Sequence, residues 1–237
     1  MGPSSPAPLL FTTWNVAGLD ERRLDERSEA QCLALLLRDP GPDVISLQEV
    51  VRRSWHGHFK HHLRAAGYTV VPADPTDTES EYFSILAVRG APTVAESLPL
   101  KGSRMGRRLV RAVVDGWLFL GLHGESERQG SAERVRQCTR VAEHLLAHDG
   151  PAIFGGDTNL RVEEEADVEG LDQLTDAWVA AGSAKLDRAT WRMGRYSARY
   201  DRVWSNARAR PLDFVVRHEL GELSDHLPID VRFAREG

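Results

Sequence analysis

Cysteine is scarce in this chain: two thiols, Cys32 and Cys138, among 237 residues. They form neither a CxxC pair nor a Cys/His cluster, so a zinc or dithiol role is not expected. Both fall among apolar residues of predicted helices and read as buried free thiols, the usage of an intracellular protein. Long apolar runs are also missing, and none approaches the roughly 18 residues that a membrane-spanning helix needs. Residues 1–8 have no basic start and no apolar stretch, which predicts a loose tail and no signal peptide. Met1-Gly2 suits myristoylation, but Pro6 stands where that motif has Ser or Thr. Nor is there an excess of positive charge. A net charge of −5 is not the footprint of a general nucleic-acid binder. Basic residues gather locally instead, at Lys101, Arg104, Arg107, Arg108 and Arg111, and again at Arg192, Arg195, Arg199 and Arg202.

What is present suffices for a core: 41% of the residues are hydrophobic. Residues 9–237 are expected as a single domain without an internal linker. Leu9 to Asn15 and Val44 to Leu47 read as strands on either side of a helix from Asp20 to Arg38. Ser54 is placed to cap a second helix from Trp55 to Ala66. Strands follow at Tyr68–Val71, Tyr82–Val88 and Val94–Leu98, with a polar loop over residues 72–81. Asp115-Gly116 between two apolar runs predicts a tight hairpin. Ser131 is placed to cap a helix reaching His148. Pro151–Phe154 is a strand, Leu174–Ala181 a short helix, and four short strands end the chain. Strands outnumber helices and hairpins are present, so two mixed sheets packed together with helices outside are expected.

The most informative stretch is Ile153-Phe154-Gly155-Gly156-Asp157-Thr158-Asn159-Leu160-Arg161. Residues two apart in an extended chain share a side. Asp157, Asn159 and Arg161 are therefore expected to face one spot at a strand end. A base for water, a neutral donor and a cationic fork suit phosphate chemistry. Taken alone, the stretch could equally be an Asx-turn after a strand. Other strand ends carry polar groups too: Asn15, Gln48-Glu49, His123-Gly124-Glu125-Ser126, Tyr200-Asp201 and Ser224-Asp225-His226. Six such stations are hard to read as turn caps alone.

This ordered set resembles the endonuclease/exonuclease/phosphatase (DNase I-like) superfamily, from Thr13 to about Phe233. The resemblance implies a four-layer α/β sandwich, a divalent metal and phosphoester hydrolysis. Mg²⁺ is the metal implied, with Mn²⁺ as an alternative. Glu49 and Asp225 would be the metal carboxylates, with Asn15 beside them; hard cations favour such oxygen donors. Asp157 would deprotonate the attacking water, and Asn159 would donate to that water or to a phosphoryl oxygen. His226 would donate to a non-bridging oxygen, with Asp201 holding its tautomer. His123 sits where DNase I-like members have a second catalytic histidine. Other readings stand beside these: Glu49 as a turn cap, Asp201 as an ion-pair partner of Arg199 or Arg202, and His123 as a satisfied strand-end histidine. His58 and His62 have metal-like i,i+4 spacing but no evident third ligand, and are expected as solvated surface.

Finer motifs resemble the tyrosyl-DNA phosphodiesterase 2 branch of that superfamily. They are Thr13-Trp14-Asn15-Val16-Ala17-Gly18-Leu19-Asp20, Glu81-Tyr82-Phe83-Ser84, Ser103-Arg104-Met105-Gly106-Arg107, His123-Gly124-Glu125-Ser126, Gly156-Asp157-Thr158-Asn159-Leu160-Arg161 and Thr190-Trp191. Leu227-Pro228-Ile229 departs from that branch, which usually has Trp-Gly-Leu. The resemblance implies removal of a topoisomerase-type tyrosine from a DNA 5′-phosphate. The partner would be DNA, as a 5′ end or single-stranded terminus, met by a monomer away from membranes. Arg161, Arg107 and Ser126 would grip the backbone. Trp191, Tyr82 and Phe83 would face unstacked bases, with core packing as the alternative for Trp191 and Phe83. Another DNase I-like nuclease, or a phosphatase on inositol or lipid phosphates, is the alternative function.

Overall fold

The computed structural model describes residues 7–235; residues 1–6 of the expected tail lie outside the described residues. The first strand, β1 (Leu9–Asn15), is buried along its whole length. Phe11 enters one apolar cluster and Trp14 another, on the opposite face. A strand covered on both faces needs apolar side chains at odd and even positions, which this one has. α1 (Leu24–Leu36) follows, then β2 (Val44–Val51). A helical segment of three parts comes next: α2 (Arg52–Ser54), a π-turn over Trp55–Phe59, and α3 (Lys60–Ala65). β3 (Tyr68–Val71) and β4 (Tyr82–Arg89) complete the first half. The second half opens with β5 (Val94–Pro99), β6 (Arg108–Val114) and β7 (Trp117–His123). α4 (Ser131–Leu146), β8 (Ala152–Asp157), β9 (Thr175–Asp176) and α5 (Ala177–Ala180) come next. The chain then forms β10 (Trp191–Met193), β11 (Tyr196–Ala198), β12 (Asp201–Ser205), β13 (Val215–Val216) and β14 (Ile229–Phe233).

Two six-stranded sheets result, in the orders β13-β14-β1-β2-β4-β3 and β5-β6-β7-β8-β12-β9, with β10 and β11 as a separate ribbon. Their inner faces share one core containing Phe11, Leu86, Val88, Val110, Phe119, Ile153 and Phe233. Gly155 lies at the closest approach, because a Cβ there would stand 2.2 Å from the Phe11 ring. Beside it, the Ser46 hydroxyl donates to the Gly155 carbonyl (2.8 Å), tying one sheet to the other. α1 and the 52–65 segment cover the outer face of the first sheet through Cys32, Leu35, Trp55, Phe59 and Leu63. α4 covers the second through Cys138, Val141 and Leu145. Both cysteines are buried and free. Among the described residues no helix is long and apolar enough to cross a membrane. The layers are helix, sheet, sheet, helix, as the sequence predicts.

Several boundaries differ for physical reasons. α1 starts at Leu24 and not at Asp20, because Arg23 takes a left-handed φ of 50° and Asp20 pairs with Arg22 in a turn. Ser54 is not an N-cap. It lies on the first helical turn, where its hydroxyl accepts from the Val51 amide (3.2 Å) and donates to the Val51 carbonyl (3.0 Å). Trp55 and Phe59, four apart on this segment, both point into the core. Ser131 is likewise helical, and its hydroxyl goes to Glu164 (2.5 Å). The helix expected over 174–181 shrinks to α5, capped by Asp176, because Thr175 and Asp176 pair with β12. The predicted Asp115-Gly116 hairpin is present, with positive φ at both residues and Val114 opposite Trp117.

Candidate active site

Topology brings the polar stations to one end of the sandwich. β7 and β8 run parallel, so His123 ends beside Asp157. β12 runs antiparallel to β8 and starts there, with Asp201 opposite Asp157. In the other sheet β1 and β2 end together, delivering Asn15 and the Gln48-Glu49 corner. β14 runs antiparallel to β1, so the residues just before it, Ser224-Asp225-His226, arrive at the same end. A register shift between Leu47 and Val50 sets Glu49 apart from its strand, at a left-handed φ of 56°. The Gly18 amide donates to the Glu49 carbonyl (3.1 Å), and a Cβ on Gly18 would sit 2.1 Å from that oxygen. Gly18 is therefore what permits the corner that presents Glu49.

The two sheets meet at Asp157. Asn15 Nδ2 donates to Asp157 Oδ2 (3.0 Å), while the Asn159 amide donates to Oδ1 (2.9 Å). His123 Nε2 lies 3.4 Å from Asp157 Oδ2 and 3.7 Å from Glu49 Oε1. His226 Nδ1 pairs with Asp201 Oδ2 at 2.8 Å, and its Nε2 stands 3.7 Å from Asp157. Burial pulls the His226 imidazole down, but the Asp201 and Asp157 carboxylates outweigh it and push it up to about 10. His226 is thus a cation at neutral pH, donating from Nδ1 to Asp201 and keeping the Nε2 proton available for a substrate oxygen. Burial, with the nearby Arg107 charge, holds His123 well below the usual imidazole range, so it is neutral. Burial lifts Asp157 above the ordinary carboxylate range, with the His226 charge opposing. Such an Asp is a better base than a solvated one.

Glu49 is also raised, first by burial, then by repulsion from Asp157 and, less, from Asp225. Glu49 and Asp225 line one cleft. This crowding of carboxylates fits a hard divalent cation, which would relieve the repulsion, while Asn15 orients them: its Oδ1 accepts from the Ala17 amide (3.0 Å) and its Nδ2 faces Asp157 and Glu49. Asp157, Asp201 and His226 also bring ligand atoms within 4.8 Å of one another. That trio is already balanced by the imidazolium proton, so the all-oxygen set is the better cation site.

The remaining candidates lie around this centre. Trp191 is half-buried, donates from Nε1 to Asp225 (2.9 Å) and packs on Tyr200. Tyr82 packs on His123 with ring centroids 5.7 Å apart, and the Arg107 guanidinium lies 5.1 Å above the Tyr82 ring. Phe83 is buried and packs edge-on against Trp55, though it borders the same cavity as Tyr82. Ser126 turns its hydroxyl to Met105 Sδ (3.1 Å). The alternation expected over Asp157, Asn159 and Arg161 does not occur. β8 ends at Asp157, and Asn159 takes a left-handed φ of 53°, which breaks the extended geometry. Asn159 Nδ2 instead donates to the Gly124 carbonyl (3.3 Å). Arg161 is carried to a neighbouring groove, where it approaches Glu164 at 3.5 Å. The histidines expected as solvated surface are half-buried, and His58 and His62 both reach one Glu29 oxygen (3.0 and 2.8 Å).

Glu125 was not singled out by the sequence pattern. Only 1% exposed, its carboxylate accepts from the Ser103 hydroxyl (2.7 Å), the Arg104 amide (2.9 Å) and Gln137 Nε2 (3.2 Å). It fixes the loop that delivers Arg107. Its only sequence signal was its place two residues after His123.

The sequence profile of the Endonuclease/Exonuclease/phosphatase family matches residues 12–226. Tyrosyl-DNA phosphodiesterase 2 of Mus musculus is 34% identical over 216 residues, covering 83% of this chain and 56% of that protein. Its Homo sapiens counterpart is 32% identical, covering 83% and 57%. The chain spans about half the length of the curated relatives it matches. The crystal structure of D. rerio TDP2 complexed with single-strand DNA product superposes with a TM-score of 0.82 at 26% identity, covering 97% of this chain and 100% of that one. The profile match and the shared two-sheet architecture agree: the chain belongs to the endonuclease/exonuclease/phosphatase family, with sequence and fold similar to tyrosyl-DNA phosphodiesterase 2.

Proposed function

We propose that this chain is a Mg²⁺-dependent phosphodiesterase that hydrolyses the bond between a tyrosine phenol and a DNA 5′-phosphate, in the repair of topoisomerase-type adducts. The observation that carries the reading is the arrangement of surfaces around Asp157. On one side, beyond His123, lies an aromatic cavity of about 250 Å³ bordered by Tyr82 and Arg107. On another, beyond Tyr200, lies a groove of about 850 Å³ bordered by Arg161, Lys185, Arg188 and Arg199. The cationic groove suits a polyanionic strand. The aromatic cavity suits a phenol.

Glu49 and Asp225 would hold the cation, with Asn15 orienting Glu49, and the cation would polarise a phosphoryl oxygen when bound. Asp157, oriented by Asn15 and the Asn159 amide, takes a proton from water. The water oxygen bonds to phosphorus as the bond to the tyrosine oxygen breaks, in line. His226, held by Asp201, donates to a non-bridging oxygen where negative charge builds. A phenol has a pKa of about 10, so it leaves without full protonation. Neutral His123 beside it has only to hydrogen-bond the departing oxygen. The relatives' names and the DNA complex support the substrate class.

The test offers purified protein a 5′-phosphotyrosyl oligonucleotide with Mg²⁺. Release of tyrosine, leaving a 5′-phosphate, is expected. No release, together with robust cutting of an abasic duplex, would replace this reading with that of a general repair nuclease.

A further inference from the structure

The cavity beyond His123 has a wall that the mechanism above does not use. It is the 72–81 loop, which carries Asp74, Asp77, Glu79 and Glu81 and no basic residue. Asp74 and Asp77 border the cavity from the solvent side, where both are exposed. Arg107 and His123 border it from the inside and are only 5% and 4% exposed. Among the described residues, Arg107 Nε and His123 Nδ1 have no hydrogen-bond partner, so two buried polar atoms stand ready for a ligand.

The loop is not loose. Arg52, on α2, gathers its carbonyls: Nη1 donates to Ser80 (2.8 Å), and Nη2 to Thr76 (3.1 Å) and to Thr78. Asp74 Oδ1 accepts from the Thr76 amide (3.0 Å) and hydroxyl (2.6 Å), closing a local turn. One guanidinium thus sets the height of the wall and the place of its carboxylates.

We infer that the Arg52-held 72–81 loop is a specificity element that selects tyrosyl adducts carried on basic polypeptide over those carried on acidic polypeptide. The inference rests on the tyrosyl-DNA reading above. A cavity of about 250 Å³ takes little more than one aromatic side chain, so the chain bearing the tyrosine must leave past the loop. Lysine or arginine beside the tyrosine meets the exposed Asp74 and Asp77 carboxylates there, outside the Arg107 and Arg108 that border the cavity. Arg52 is a positioning residue in this scheme.

Three substrates test it: one 5′-phosphotyrosyl oligonucleotide with free tyrosine, one with the tyrosine in a lysine-flanked peptide, and one in a glutamate-flanked peptide. Rim charges of this kind give a kcat/KM ratio of ~3- to 10-fold for basic over acidic peptide, shrinking as salt rises. In Asp74→Asn/Asp77→Asn/Glu79→Gln the ratio falls to one. In Arg52→Ala it falls through a raised KM for the basic peptide, and Arg52→Lys restores part of it. A purely structural role for Arg52 would slow all three substrates alike. A wild-type ratio of one, or a ratio that survives the triple replacement, overturns the inference while the free-tyrosine substrate is still cleaved. No cleavage of any of the three instead removes the tyrosyl-DNA reading, and this inference with it.

Discussion

Asn15 and the Asn159 amide each hold one oxygen of Asp157, while His226 stands 3.7 Å away as a cation. These contacts oppose the burial that raises the carboxyl, which keeps a high affinity for a proton. Asp157→Asn should lower kcat by ~10²- to 10⁴-fold. Oligonucleotide affinity, measured by anisotropy, should be retained, and unaltered turnover would remove Asp157 from the base role. At this scale the sequence was legible where one residue type does one job. Asp157, Asp201 and His226 stand where their strand ends put them. It was misleading where backbone conformation intervenes. Asn159 adopts left-handed geometry, open to Asn more readily than to most side chains, and so sends Arg161 to a different groove. No spacing rule for extended chains reveals that. The shared Glu29 contact of His58 and His62 was equally invisible, because its partner lies on another helix.

Elements owe their placement to a few buried polar clamps. Arg134, on α4, donates to Glu164 from Nε (2.9 Å) and Nη2 (2.5 Å), and to the Glu125 carbonyl (2.8 Å). Burial alone would raise Glu164, but Arg134 and Ser131 bring it down to about 2. A carboxyl lowered on folding stabilises fully above its unfolded pKa and loses that contribution as pH falls toward the folded one. Stability should accordingly decline between about pH 5 and 2, by roughly 3 kcal/mol from this group. Glu164→Gln should flatten that part of a denaturant-midpoint profile. Arg134→Ala, which strands a buried carboxylate, should cost about 3–5 kcal/mol. Gly155→Ala forces a methyl onto the Phe11 ring. The expected loss is about 1–3 kcal/mol, read as a lower melting temperature, together with a slower enzyme because β8 carries Asp157. The sequence foretold the elements themselves well, since strands and hairpin follow apolar periodicity and turn chemistry. It foretold their ends poorly. Ser54 and Ser131 look like N-caps, but Ser54 lies inside the first turn of its helix, bonding back to Val51, and the Ser131 hydroxyl serves Glu164, a partner that only the tertiary fold supplies.

Across the whole molecule, the proposed function asks an acidic protein to bind a polyanion with a local supply of cations. Arg161, Lys185, Arg188 and Arg199 gather along one groove, while Glu49, Asp157 and Asp225 crowd the centre. Saturating Mg²⁺, at ~100 times its Kd, should stabilise the fold by about 2.7 kcal/mol. For a chain of this size the melting temperature then rises by roughly 5–10 °C. Chelation should reverse the rise, and Glu49→Gln should abolish most of it. A shift unaffected by that substitution would place the cation elsewhere. The overall architecture was accessible because the six stations occur in a fixed order along the chain. The aromatic cavity and the cationic groove were not, since each is bordered by loops distant in sequence.

The strand order has a consequence for how the protein is made. β14 pairs with β1, the last strand with the first, and the loop just before it carries Asp225 and His226. On a ribosome, every other station emerges before these two. A nascent or prematurely stopped chain that ends before Asp225 holds Asp157 without its imidazolium and Glu49 without its companion carboxylate. Under the proposed function, hydrolysis is thereby withheld until synthesis has passed His226 and β14 has closed onto β1.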